Sequence, residues 1–227
     1  MAIETTPRDL KGSIKRGEMW VKYFDDFASS ILEYTHAIEI SPKELSSFMK
    51  RGDSHRRNKE YTLAVNDYTK IISINPLYPK VYYIRGFTYN LLENNQLALN
   101  DLNREIEIDP NHVYAYWARA KLKIKMLDYN GAIIDYNILK AIDPSQKDMY
   151  YTDIADCKVL LKDFAGAIIA YTSGIESAKS YNLTSLLIGR GKAKIALNQK
   201  DGACTDFRKA FDLKSEEAGK LIKEYCF

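Results

Sequence analysis

The 227-residue sequence predicts an all-α solenoid, about six stacked helix-turn-helix units followed by a C-terminal capping helix. Three observations predict it. Pro42, Pro76, Pro110 and Pro144 stand 34 residues apart, preceded in turn by Ser41, Asn75, Asp109 and Asp143. Ala64, Ala98, Ala132, Ala167 and Ala203 recur at intervals of 34, 34, 35 and 36 residues, and four positions beyond each stands Tyr68, Leu102, Tyr136, Tyr171 or Phe207. Tyr34 holds the same place one period earlier. Within each period the apolar residues follow helical spacing twice, with breaks near Asn58-Lys59-Glu60, Asn94-Asn95, Leu127-Asp128 and Lys162-Asp163. A fixed period of this length marks units that bury their apolar faces only by stacking on one another.

In chain order the expected divisions are a tail at 1–9, a degenerate unit at 10–43 with Ser30 in place of the alanine, regular units at 44–78, 79–112, 113–146, 147–182 and 183–214, and a cap at 215–227. Each residue-proline pair ends a second helix, since proline cannot continue the helix before it. Gly52, Gly86, Ala120, Ala155 and Gly191 stand 12 positions before the repeated alanine, so the two helices of a unit can approach closely where both are small. An interior glycine costs about 1 kcal/mol of helix propensity, which close packing offsets. The final SEEAGKLIKEYCF puts Leu221, Ile222 and Tyr225 on one helical face, suited to covering the last unit.

A second regularity concerns charge. Arg51, Arg85, Arg119 and Arg190 each precede the small residue, and 16 positions later come Asp67, Asp101, Asp135 and Asp206. The unit with Ile154 instead of arginine has Ala170 instead of aspartate, and the first unit carries Arg16 and Glu33. Joint presence and absence predict a charge-assisted pair clamping the two helices of each unit.

The large, small, aromatic, alanine, aromatic and proline positions of the second unit, Phe48, Gly52, Tyr61, Ala64, Tyr68 and Pro76, resemble the tetratricopeptide repeat family, and matching sets run over nearly the whole chain. The resemblance implies a right-handed superhelix whose concave face is lined by the first helix of each unit and binds extended peptides or helices of partner proteins. Projected onto this sequence, the groove residues are Lys50, Asp53, Arg56, Arg57, Lys80, Tyr83, Phe87, Asn90, Tyr114, Trp117, Lys121, Lys125, Thr152, Asp153, Asp156, Ile188 and Lys192. Their mixture of exposed aromatics and lysines suits a peptide with apolar anchors and negative charge. The carboxylate-gripping lysines and asparagines of one subgroup are not matched: those positions hold Met49, Asp53, Ile84, Tyr114 and Ala118.

Composition narrows the rest. A formal net charge of +3 with interleaved acids and bases gives no global field for nucleic acid, though Lys50, Arg51, His55, Arg56, Arg57 and Lys59 form a local basic segment that keeps a nucleic-acid-binding alternative open. His36, His55 and His112 are scattered singly, no glycine-rich phosphate loop occurs, and too few residues lie outside the repeats to hold a catalytic domain, so a non-enzymatic scaffold without metal or cofactor is expected. The acid pairs Asp25-Asp26 and Glu216-Glu217 fall at helix starts, where solvated carboxylates favour the dipole. Cys157, Cys204 and Cys226, an odd count in no CxxC arrangement, are expected to be reduced thiols of a cytoplasmic chain. The tripeptide Arg51-Gly52-Asp53 spells an adhesion signal, but it repeats the Arg85-Gly86 and Arg190-Gly191 step and so belongs inside a packed helix.

Overall fold

The computed structural model describes residues 9–178 and 182–227; of the expected tail at 1–9, residues 1–8 lie outside the described residues. Two compact units part between His112 and Val113. The first contains α1 (Leu10–Met19), prolonged by a π-helical turn (Trp20–Phe24), then α2 (Phe27–Ile40), α3 (Leu45–Arg57), α4 (Tyr61–Ile74), α5 (Val81–Leu91) and α6 (Asn95–Ile108). The second contains α7 (Val113–Lys125), α8 (Tyr129–Ile142), a 3-10 turn (Pro144–Gln146), α9 (Lys147–Leu160), α10 (Phe164–Ser177), α11 (Leu183–Ala196), α12 (Lys200–Asp212) and α13 (Glu216–Tyr225). Odd-numbered helices up to α11 are the first (A) and even-numbered ones the second (B) of each helix-turn-helix pair. No strand occurs among the described residues.

The turns inside the pairs share one chemistry. Lys59, Glu93, Leu127, Lys162 and Asn198 all adopt left-handed backbone, with φ between 58° and 64°. This conformation lets the next amide reach back to a carbonyl in the last turn of helix A: Glu60 N–H donates to His55 O at 2.8 Å, Asn94 to Tyr89 at 2.9 Å, Asp128 to Lys123 at 2.8 Å. Helix B then starts at once, with Asn94, Asp128 and Asp163 side chains accepting from Leu97, Gly131 and Gly166 N–H. At the far end the residue before Pro76, Pro110 or Pro144 leaves helical geometry, Asn75 at φ −137° and ψ 95°, as steric pressure from the proline ring requires.

Helix A meets helix B where a small residue faces the repeated aromatic. A methyl group on Gly52 would lie 2.7 Å from Tyr68 Cε1, and one on Gly191 only 2.3 Å from Phe207 Cε1. Phe207 is fully buried, so its ring cannot step aside without displacing Ala203, Ala210 and Leu187 around it. Gly191→Ala should therefore lose about 1–3 kcal/mol to overpacking, more than the roughly 1 kcal/mol gained in helix propensity. Gly202→Ala is the control, since its methyl meets only the Lys194 side chain at 3.4 Å and should be neutral or stabilising. Urea unfolding of the two variants checks this; equal stability would show that the Gly191 contact has room.

The arginine–carboxylate pairs are present in the geometry that bridges A to B. Arg51 donates from Nε and Nη2 to the two oxygens of Asp67 at 2.9 and 2.7 Å; Arg85 does so to Asp101 at 2.7 and 2.8 Å. Arg119 reaches Asp135 at 3.0 and 2.6 Å, and Arg190 reaches Asp206 at 2.9 and 2.7 Å. Arg16 holds both oxygens of Glu33. All four aspartates are buried, and a second cation approaches two of them, Lys123 Nζ at 2.9 Å from Asp135 and Lys194 Nζ at 2.8 Å from Asp206. Gly52 is buried within α3, so the Arg51-Gly52-Asp53 tripeptide sits on a packed helix.

Three residues that the sequence pattern did not bring out complete these bridges. Arg51 Nη1 also donates to Thr35 Oγ1 at 3.2 Å, Arg85 to Thr69 at 3.0 Å and Arg190 to Thr172 at 3.1 Å. Each threonine directly follows a repeated tyrosine and belongs to helix B of the preceding pair. One guanidinium thus ties three helices together.

The end of the second unit corrects the reading of the cysteines. Cys204 on α12 and Cys226 just beyond α13 form a disulfide, with Cα atoms 5.7 Å apart, while Cys157 is a free, fully buried thiol whose pKa burial pushes up to about 11. Counting and spacing could not foresee the bond, because it depends on α13 folding back over α12. Leu221 and Ala218 enter a core with Phe207, Ala203 and Leu187, and Ile222 and Tyr225 pack at its edge. Glu217 is exposed, as expected, and pairs at the surface with Lys192 Nζ at 2.7 Å.

Candidate partner-binding face

Once the small residue and the arginine of helix A have turned toward helix B, the next position along the helix points elsewhere. In chain order that position holds Glu18, Asp53, Phe87, Lys121, Asp156 and Lys192. Several of these contact the repeated tyrosine of their own pair. Asp53 accepts from Tyr68 Oη at 2.8 Å, and Asp156 accepts from Tyr171 Oη. Burial, reinforced by those carboxylates, drives both phenols well above their ordinary range, so the tyrosines act as fixed donors.

Others pair between neighbouring repeats. Lys50 Nζ lies 2.7 Å from Glu18, and Lys121 Nζ lies 2.7 Å from Asp153. Burial raises the Asp153 carboxyl above its usual value, an effect that Lys121 opposes. Lys121 and Asp153, projected onto the groove from different repeats, thus neutralise each other within the second unit.

In the first unit, Lys50, Asp53, Arg56 and Arg57 share one cavity of about 530 Å³ with Glu18 and Lys22. The Arg56 guanidinium sits 5.8 Å from the Phe87 ring centroid, 3.7 Å from Asp53, and its Nε is buried without a hydrogen-bond partner. Arg57 covers the Phe27 ring at 4.7 Å and lies 3.7 Å from Asp25. Glu18 and Lys22 went unremarked in the sequence, yet Gly17-Glu18 repeats the Gly52-Asp53 step and was the signal for them. Lys80, in left-handed backbone at the start of α5, is exposed; Tyr83 stands edge-on to His112 at 5.1 Å and Asn90 is half-buried. The Tyr83 N–H donates to Glu105, whose carboxyl is raised by burial.

In the second unit, Tyr114 and Trp117 border a hollow of about 380 Å³ whose far wall is Met149 and Tyr150. They remain 66% and 39% exposed, so intramolecular packing does not absorb them. Lys121 Nζ lies 5.7 Å from the Trp117 ring centroid and Lys125 is exposed further along α7. Asp156 is exposed and Lys192 is engaged with α13, both away from this hollow's lining. Thr152 turns its hydroxyl back to Asp148 O, and Ile188 is no groove residue at all: it is buried against Ala203 and Phe207, because its face of α11 is the one that meets α12.

Stacked helix pairs with an ordered helix A face define the chain as a helical-repeat protein of the α-solenoid class. A family model described as tetratricopeptide repeat matches residues 45–76, the α3–α4 pair. Among solved structures it is similar to a tetratricopeptide repeat protein from Parabacteroides merdae ATCC 43184 (23% identity, 98% of this chain and 84% of that one, TM-score 0.61). It is also similar to MamA (18%, 74% and 91%, 0.68) and to YrrB, described as a TPR protein with an unusual peptide-binding site (16%, 78% and 90%, 0.62). At these identities the likeness is one of fold. No curated protein matches the chain.

Proposed function

We propose that the protein is a non-catalytic interaction scaffold whose helix A face captures a peptide segment or helix of a partner protein. The observation that carries this reading is the Tyr114–Trp117 hollow: two large aromatics held on a rigid helix beside an open, mostly apolar recess are what binding hot spots are made of. In the first unit the cavity around Arg56 is a separate candidate site, where Lys22, Lys50, Arg56 and Arg57 face Glu18 and Asp53. The basic segment argues less well for nucleic acid. Lys50, Arg51, His55, Arg56 and Arg57 each lie within 4 Å of a carboxylate, at Glu18, Asp67, Glu60, Asp53 and Asp25, so little charge is left to neutralise phosphates.

As to compartment, the Cys204–Cys226 bond favours an oxidising one over the cytoplasm suggested by the sequence. No helix among the described residues is long and apolar enough to cross a membrane.

The test is selection from a fluorescently labelled random peptide library on the full chain. Selected peptides should carry an aromatic or aliphatic anchor with acidic neighbours, and the Tyr114→Ala/Trp117→Ala variant should weaken them at least tenfold, about 1.4 kcal/mol, with an unchanged melting curve. Peptides that bind this variant as tightly as the wild type would remove the reading.

A further inference from the structure

Within each unit arginines bridge successive B helices: Arg51 joins Thr35 on α2 to Asp67 on α4, Arg85 joins Thr69 on α4 to Asp101 on α6, and Arg190 joins Thr172 on α10 to Asp206 on α12. The groove between α8 and α10 has lost all parts of such a bridge. Ile154 stands for the arginine and Ala170 for the aspartate. Asn137, in the threonine's place, returns its amide to Ile133 O of its own helix at 2.9 Å. Where the other grooves hold a guanidinium, this one has a hollow of about 230 Å³, floored by Ile154 and Ala170 and walled by Ile133, Tyr151 and Ile169. Ile169 is 69% exposed, so the apolar wall continues onto the surface.

Two lysines stand at the rim, and they differ. Lys158 is held by Asp163 at 2.7 Å. Lys140 rests its ammonium 4.2 Å from the Tyr151 ring centroid and has no carboxylate at ion-pair distance among the described residues. Partial burial, with Lys147 nearby, lowers its pKa, as expected for a cation that lacks a matching anion. An apolar floor beside one unmatched cation is complementary to an apolar side chain with a carboxylate next to it.

We infer that the hollow between α8 and α10 is a second docking site, sharing no lining residue with the Tyr114–Trp117 recess. It takes a leucine- or phenylalanine-sized side chain from a partner segment whose adjacent Asp or Glu pairs with Lys140. The partner is an extended or helical segment of another protein, and loss of the arginine bridge in this one repeat opens the site.

The same labelled random library, selected on the full chain, tests it with separate variants. Ile169→Glu alters an exposed side chain and should leave folding intact. The double change Ile154→Arg/Ala170→Asp builds the bridge of the other repeats into the hollow and fills it. Among peptides selected by the wild type, a set with Leu or Phe beside Asp or Glu should lose at least tenfold in affinity with either variant. Lys140→Ala should remove their preference for the acid, and Tyr114→Ala/Trp117→Ala should leave them unchanged. The inference is overturned if no selected peptide responds to Ile169→Glu, or if responsive peptides show no acidic preference. It is equally overturned if the wild type sediments as a dimer that Ile169→Glu converts to monomer, since the hollow would then seat a second copy of this chain.

Discussion

Arg85→Met should lower unfolding free energy by about 3 kcal/mol, toward the lower end of what breaking a buried ion pair costs. The loss comes from the partner left behind. Asp101 is buried, and Arg85 supplies both of the hydrogen bonds that satisfy its oxygens there. The equivalent Arg119→Met should cost less, because Lys123 stays 2.9 Å from Asp135 and keeps a positive charge on it. Arg51→Met should therefore resemble Arg85→Met, and Arg190→Met should resemble Arg119→Met, as Lys194 remains on Asp206. Removing both partners in Arg85→Met/Asp101→Leu should recover most of the loss, since an apolar pair avoids the desolvation cost altogether. Urea unfolding followed by circular dichroism gives the ranking. Four equal losses below about 1 kcal/mol would mean that the carboxylates are solvated and the pairs are ordinary surface bridges.

Reduction of Cys204–Cys226 should lower the stability of the terminal pair by about 3 kcal/mol, the loop-closure value for residues at this separation of 22. The effect should be local, because each repeat contacts only its neighbours. Amide exchange should quicken across α13 and α12 on adding a phosphine reductant, and Cys226→Ser should reproduce the change without reductant. Freed of the staple, α13 is held mainly by Ala218 and Leu221 on the Phe207 cluster, together with the Lys192–Glu217 pair at the surface. Unchanged exchange in α13 after complete reduction would show that this apolar contact alone secures the cap.

Much of the fold was legible because it depends on residues close in sequence. Gly52 and Tyr68, or Arg85 and Asp101, lie in one helical hairpin with a short turn, so the helical period alone carries them to facing positions. The turns were harder to read. Leu127 and Glu93 are poor advertisements for left-handed backbone, and only the returning amide hydrogen bonds reveal why it is tolerated there. Gly17-Glu18 repeats the step at Gly52-Asp53, but Ser30 in place of the alanine hides the register of that first unit.

The candidate binding face was less legible. Lys50, Asp53, Arg56 and Arg57 gather at one cavity, and Tyr114 and Trp117 at another, within their own units. But the structure joins Lys121 and Asp153, projected from different repeats as separate groove residues, in an ion pair. It also moved Ile188 from the face to the core.

By itself, then, the sequence determined the repeat, the pairing of helices within each repeat and the clamps that bind them, since helical periodicity sets every register inside a hairpin. Tertiary structure alone decided which charges cancel between repeats, which cysteines meet and where the missing arginine leaves a hollow. Those contacts join residues of different hairpins, and their geometry follows from how one pair stacks on the next, a quantity that no local period encodes.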